Sequence, residues 1–283
     1  MEFDPYVTRV NSKLDFYLAN PGSLAQIMRY SVLAGGKRFR PILAYCTANL
    51  FDTDLDKVDS SCCAIEFIHA YSLIHDDLPA MDDDDIRHNQ PSCHKRFDEA
   101  QAILAGDGLQ ALAFEVLVND SLLDSQTKIE LLSVLTHAAF EMAEGQAIDL
   151  SIVNQSVDIC LLETMHKKKT GALLSCAVDL GATIAQCSQA DRLILQSFSQ
   201  AIGLAYQIQD DVLDVEAPVG ILGKNQHSDR DKNKPTYPSI IGLSESKDAY
   251  QQLYKAASDA LKLLSVDAGD LQLLIKKLQI RTF

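Results

Sequence analysis

Two acidic clusters, each closing an apolar helical stretch, constrain this chain more than any other feature. Residues 75–85 read H-D-D-L-P-A-M-D-D-D-D, which supplies Asp76, Asp77, Asp82, Asp83, Asp84 and Asp85. Residues 207–214 read Q-I-Q-D-D-V-L-D and again end an apolar helical pattern. Carboxylates packed this densely repel one another, so something must offset them. A single charge run is ordinarily a solvated loop. A second cluster at a second helix end favours one shared cation site. Hard carboxylate oxygens without a nearby Cys or His pair suit Mg2+ rather than zinc. Asp210 and Asp214 are four residues apart, so a helix sets both on one face. Asp76 and Asp82 are six apart, about 9 Å along an ideal helix and about 120° around it. Pro79 lies between them, removes a backbone donor and disfavours helical geometry at Leu78. The helix is therefore expected to bulge or end there and swing Asp82 back toward Asp76.

The rest of the chain reads as one all-α domain, residues 1–283, with helices around a central cavity. Apolar residues recur at helical spacing over 59–74, 99–118, 128–150, 159–184, 191–215, 247–264 and 271–280; Leu131, Leu135, Ala138 and Met142 are one such series. Alternating strand patterns are nearly absent. The polar, Lys-rich stretch 216–237 is long for a loop inside a domain, which marks it as functional. The 25 basic and 39 acidic residues leave a net charge of −14, which argues against nucleic acid or an anionic membrane as a partner. No apolar run approaches the length of a membrane span, so no membrane insertion is expected. Residues 1–10 carry two acids and no apolar core, unlike a signal peptide. The seven cysteines show no C-x-x-C spacing, so reduced thiols in a cytoplasmic protein are expected.

Basic residues complement the acidic clusters. Residues 35–41 read G-G-K-R-F-R-P and place Lys37, Arg38 and Arg40 in a Gly-rich turn before a helix, a setting that favours an anion. Lys167, Lys168 and Lys169 precede Thr170 and Gly171, and the late loop adds Lys224, Lys232 and Lys234. Cations beside carboxylate-held Mg2+ point to diphosphates. His69 lies two helical turns before Asp76 and shares its face. Gln207 shares the face of Asp210. His94, Gln146 and Asp149 are assigned to structural hydrogen bonding.

With these residues on the page, the chain resembles the trans-isoprenyl diphosphate synthases, and among them the bacterial farnesyl-forming members. Five motifs carry the resemblance in order: G-G-K-R-F-R-P, D-D-L-P-A-M-D, K-T-G at 169–171, Q-I-Q-D-D-V-L-D, and G-K at 223–224 followed by K-P-T-Y-P from Lys234. The resemblance implies an isoprenoid synthase fold, a homodimer and three Mg2+ per site. It implies Asp76, Asp82 and Asp210 as metal ligands, with Asp77 and Asp214 supporting. Lys37, Arg40 and His69 would bind isopentenyl diphosphate. Arg87, Lys169, Thr170, Gln207, Lys224 and Lys234 would handle the allylic diphosphate, with Lys169, Thr170 and Gln207 assisting the chemistry. Two positions depart from the family pattern. His88 stands where a second Arg is usual, which touches the isopentenyl diphosphate site, and His227 stands where Gly is usual. Tyr71, five residues before Asp76 and about 7.5 Å along the axis, resembles the chain-length floor of farnesyl-forming relatives, with the small Ser72 leaving room above it. The expected reaction joins isopentenyl diphosphate to dimethylallyl or geranyl diphosphate to give the C15 product. Geranyl or geranylgeranyl synthesis, a class I terpene cyclase and a non-catalytic partner subunit are the rival readings.

Overall fold

Aspartates open several of the helices that the periodicity predicts. Asp98, Asp124 and Asp158 accept from the backbone N–H groups of Gln101, Thr127 and Leu161 at 2.7, 2.9 and 2.8 Å, satisfying donors that a helix start leaves without partners. The computed structural model describes residues 3–216 and 234–281, so Lys224, His227 and Lys232 lie outside the described residues. The chain runs α1 (Asp4–Tyr17), α2 (Ser23–Leu33), α3 (Phe39–Asn49), α4 (Asp59–Asp76), a two-stranded hairpin, α5 (Cys93–Arg96), α6 (Glu99–Val118), α7 (Ser125–Ser151), α8 (Ile159–His166), α9 (Ala172–Ile184), α10 (Gln189–Glu216), α11 (Tyr237–Ile241), α12 (Leu243–Leu261) and α13 (Gly269–Gln279).

α4 is the central rod. Cys62, Cys63, Ala64, Ile65, Phe67 and Ile68 are all buried, as expected of a helix that is apolar around most of its girth. α6 lies along it, α3 packs on α9, and α10 packs on α12. Gly181 permits the α3–α9 approach, since a Cβ there would stand 2.5 Å from the Ala44 carbonyl oxygen. α1, which the polar N-terminal pattern conceals, buries Val10 and Leu14. Its Arg9 donates to Asp59 at 2.6 Å and ties it to the start of α4.

Four local features differ from the sequence expectation or refine it. The stretch 159–184 is not one helix, because a π turn, Lys167–Gly171, separates α8 from α9. α4 ends at Asp76, and the Asp82 N–H donates to the Asp76 carbonyl at 2.8 Å, so the chain doubles back as Pro79 predicts. The acidic run then enters a hairpin pairing Ile86–Arg87 with Gln90–Pro91. His88 and Asn89 turn it with φ of 51° and 60°, the left-handed pair of a type I′ turn. Strands this short leave no alternation to read. α6 also passes the length and hydropathy test for a membrane span, contrary to the expectation from uninterrupted runs. Here it is a core helix that buries one face on α4.

Candidate active site

The cationic turn, α4 and the hairpin enclose a cavity of about 500 Å³. Lys37, Arg40, His69, Arg87 and His88 all line it. Gly35 and Gly36 shape the turn with φ of 133° and 104°, a conformation side chains resist. Arg38 anchors the turn, donating to Glu66 at 2.7 Å, the Val32 carbonyl at 2.7 Å and Asn11 at 2.8 Å. Burial pushes the Lys37 ammonium below its usual pKa, with Arg281 adding to the effect. Burial does the same to Arg40. It drives His69 well below the usual imidazole range, and the charge of Arg40 adds to the effect. Cations withdrawn from water in this way gain from an anion between them.

A second, more apolar cavity of about 330 Å³ shares Arg40, His69 and Leu73 with the first. Tyr71, Ser72, Asp76, Met81, Met142, Lys169 and Thr170 line it. The two cavities are thus contiguous across one turn of α4. Asp76 lines this second cavity, its carboxyl raised to about 6 by burial, with the Asp82 carboxylate adding to the effect against Lys169. Burial would raise Asp82 too, but Lys169 and Lys234 hold it below the usual range. Lys234 donates to Asp82 at 2.8 Å and to Asp149 at 2.7 Å.

The second acidic cluster reaches this place through α10. Thr170 donates to the Gln207 side-chain oxygen at 2.9 Å. One turn on, Asp210 accepts from Arg281 at 2.5 Å, and that guanidinium lies 4.0 Å over the Tyr206 ring. Asp214 follows on the same helix, partly exposed. Asp76, Asp82 and Asp210 offer carboxylate oxygen alone, and Lys234 and Arg281 already neutralise two of them. Such a donor set fits Mg2+. Asp77, expected as a supporting ligand, is instead buried against Arg87, whose Nε lies 3.1 and 3.2 Å from its two oxygens. Arg87, expected on the allylic side, therefore lines the cationic cavity.

Residues 21–265 match the polyprenyl synthetase family. The chain belongs to this family. It is 41% identical over 274 residues to the farnesyl diphosphate synthase of Haemophilus influenzae, covering 94% of this chain and 93% of that protein. Identity to the Escherichia coli farnesyl diphosphate synthase is 43% over 252 residues, 87% of this chain and 84% of that one. The crystal structure of a geranyltransferase from Legionella pneumophila superposes with a TM-score of 0.88 at 37% identity, covering 98% of this chain and 95% of that chain.

In this polyprenyl synthetase the π turn sorts the lysine triplet. Lys168 faces out to Glu141 at 2.8 Å and to Glu144. Lys169 faces in and donates to Asp149 at 2.7 Å. π turns of this kind cluster at functional sites. Gly145 lets the turn sit against α7, for a Cβ there would lie 2.1 Å from the Lys169 backbone nitrogen. Asp149, assigned to structural hydrogen bonding, is the shared acceptor of Lys169 and Lys234. Burial would raise its carboxyl, yet those two lysines hold it below the usual range. The assignment of Gln146 to structural hydrogen bonding needs correction. Both polar atoms of its amide are buried without a partner among the described residues, beside the second cavity. His94 does bond locally, its Nδ1 3.1 Å from Ser92 Oγ. A ring nitrogen of His94 also lies within 4.8 Å of carboxylate oxygens of Asp83 and Asp85, a cluster that contains none of the expected ligands. Arg281 went unread, since a lone Arg distant in sequence carries no signal of its partner.

Proposed function

We propose that this prenyltransferase is a farnesyl diphosphate synthase, condensing isopentenyl diphosphate with dimethylallyl and then geranyl diphosphate. The observation that carries this reading is the shared wall. A cavity of buried cations meets an apolar cavity at Arg40 and His69, with Asp76, Lys169 and Thr170 lining the latter. A terpene cyclase has no use for the first cavity.

In this reading Lys37, Arg40, His69, Arg87 and His88 hold isopentenyl diphosphate with its double bond toward the second cavity. His69, kept neutral by burial and by its cationic neighbours, offers a hydrogen bond without further charge. Asp76, Asp82 and Asp210 would hold Mg2+, three ions per site, with Asp214 in support. Mg2+ supplies Lewis-acid charge on the leaving diphosphate when bound. Lys169 and Lys234 add charge where the allylic C–O bond breaks and its electron pair leaves with diphosphate; Lys224 is assigned the same role. The C=C π pair of isopentenyl diphosphate forms the new C–C bond with the allylic cation. The released diphosphate takes the proton that restores a double bond. Thr170 and Gln207 offer their dipoles to the cation, and the apolar wall excludes water. Tyr71 forms the floor that stops growth at C15, with Ser72 beside it.

A homodimer would give cover to the exposed apolar side chains Leu104 and Val118 on α6 and Ile129 and Phe140 on α7. The free thiols of all seven cysteines agree with a cytoplasmic enzyme. The test is product chromatography after incubating the purified chain with Mg2+, radiolabelled isopentenyl diphosphate and each allylic primer. A C15 product is expected. Absence of condensation with any primer would overturn the reading.

A further inference from the structure

Asp211 neighbours Asp210 in the sequence, yet the two side chains serve different surroundings. Successive helical residues point about 100° apart. Asp210 turns to Arg281, whereas Asp211 is buried against α8 and α11. One Asp211 oxygen, Oδ1, accepts from the Gln207 side-chain nitrogen at 3.2 Å. The other, Oδ2, accepts from the Tyr237 backbone N–H at 3.0 Å and lies 3.2 Å from His166 Nε2.

This arrangement settles which way the Gln207 amide faces. A carboxylate that accepts on both oxygens has no proton to give. The amide group turned toward it must therefore be the NH2, which leaves the Gln207 carbonyl directed at Thr170. Thr170 then spends its one hydroxyl proton on Gln207, at 2.9 Å. Its lone pairs remain for the cavity it lines with Asp76 and Lys169. With the amide reversed, Thr170 would accept from Gln207 and turn its proton toward the developing positive charge.

We infer that Asp211 is a positioning residue for prenyl transfer, locking the Gln207 amide so that Thr170 presents oxygen lone pairs to the allylic cation. The inference rests on the prenyltransferase reading above. Neither Asp211 nor His166 need touch substrate.

A charge-conserving swap tests it. In Asp211→Asn the single remaining acceptor is claimed by the Tyr237 N–H, so an NH2 group faces the Gln207 NH2 and the Gln207 amide reverses. The expected kcat loss is about 10- to 100-fold, the scale of a hydrogen bond to a charged group, with KM for both substrates nearly unchanged and more allylic substrate lost to water as alcohol. Gln207→Glu alone sets two carboxylates together and also lowers kcat. The double variant Gln207→Glu/Asp211→Asn restores every donor–acceptor pair with the native net charge, and its kcat should exceed that of either single variant by about tenfold or more. A purely structural role predicts additive losses with both KM values moving. Wild-type kcat in Asp211→Asn, or a double variant no better than the poorer single, overturns the inference. If Asp211→Asn alone does not fold by circular dichroism, recovery of kcat from Gln207→Glu to the double variant decides. An unmodified chain that condenses nothing defeats the prenyltransferase reading itself and this inference with it. An active chain with additive variants defeats the inference alone.

Discussion

His88 sits at φ 51° in the hairpin turn, close enough to Gly36 that a Cβ there would lie 3.7 Å from its Nε2. It lines the cationic cavity where the family pattern leads one to expect Arg. An imidazole lacks the permanent charge and planar donor fork of a guanidinium. His88→Arg should therefore lower KM for isopentenyl diphosphate by about 10-fold, the effect of one charge-assisted bond, and leave the allylic KM alone. Initial rates over a range of isopentenyl diphosphate concentrations check this, and an unmoved KM would assign the contact to Arg87. Tyr71 lines the second cavity with the His75 ring edge-on behind it at 5.8 Å. Tyr71→Ala should move the main product from C15 to C20 or longer, and Ser72→Phe should move it to C10. A C15 product from a well-folded Tyr71→Ala enzyme would place the floor elsewhere. Lys37, Arg40 and His69 were legible because turn chemistry and helical spacing act over a few residues. Gln146 was visible but misassigned, and the lysine partners of Asp149 were not foreseen, because spacing gives the face of a helix and not the partner across it.

Among the elements, the π turn matters most and was least legible. Apolar periodicity on both sides of Lys167–Gly171 continues well enough to read as one helix. The extra residue in the turn is what sends Lys168 to Glu141 and Lys169 to Asp149. Its backbone rests on Gly145, with no space for a methyl group. Gly145→Ala should displace Lys169 and Thr170 together. The expected cost is about 1–3 kcal/mol of stability, as for overpacking generally, and a kcat loss of about 100-fold, since misplacement by an ångström suffices for that. Thermal melts and steady-state kinetics measure the two separately. Native kcat in a Gly145→Ala enzyme would show that the turn yields without moving the site. The helix starts were more legible, because Asp98, Asp124 and Asp158 announce them chemically. The hairpin at Ile86–Pro91 was not, since strands of two residues carry no pattern.

For the whole molecule, helical class and one central cavity followed from the periodicity, while the meeting of Arg281 with Asp210 did not, because no local rule joins residues so far apart. That global convergence has a thermodynamic consequence at Asp76. Its carboxyl is raised to about 6 by burial, with Asp82 adding to the effect, against about 3.9 in an unfolded chain. Between those values the folded chain holds a proton that the unfolded chain has released, so this group's contribution makes stability fall as pH rises through that window. The full penalty, on the order of 3 kcal/mol, applies above about pH 6. A divalent cation on Asp76 removes it, because the buried charge then has a partner. Protein stripped with EDTA should therefore gain a larger Tm increase from Mg2+ at pH 8 than at pH 5. Asp76→Asn should melt higher than the unmodified chain at pH 8 in EDTA, lose most of the Mg2+-dependent gain, and lose at least about 100-fold in turnover. Differential scanning calorimetry across pH, with and without Mg2+, reads the first two and the condensation assay reads the third. If Asp76→Asn keeps the full Mg2+ shift, the ion is held elsewhere, with Asp83, Asp85 and His94 the first place to look.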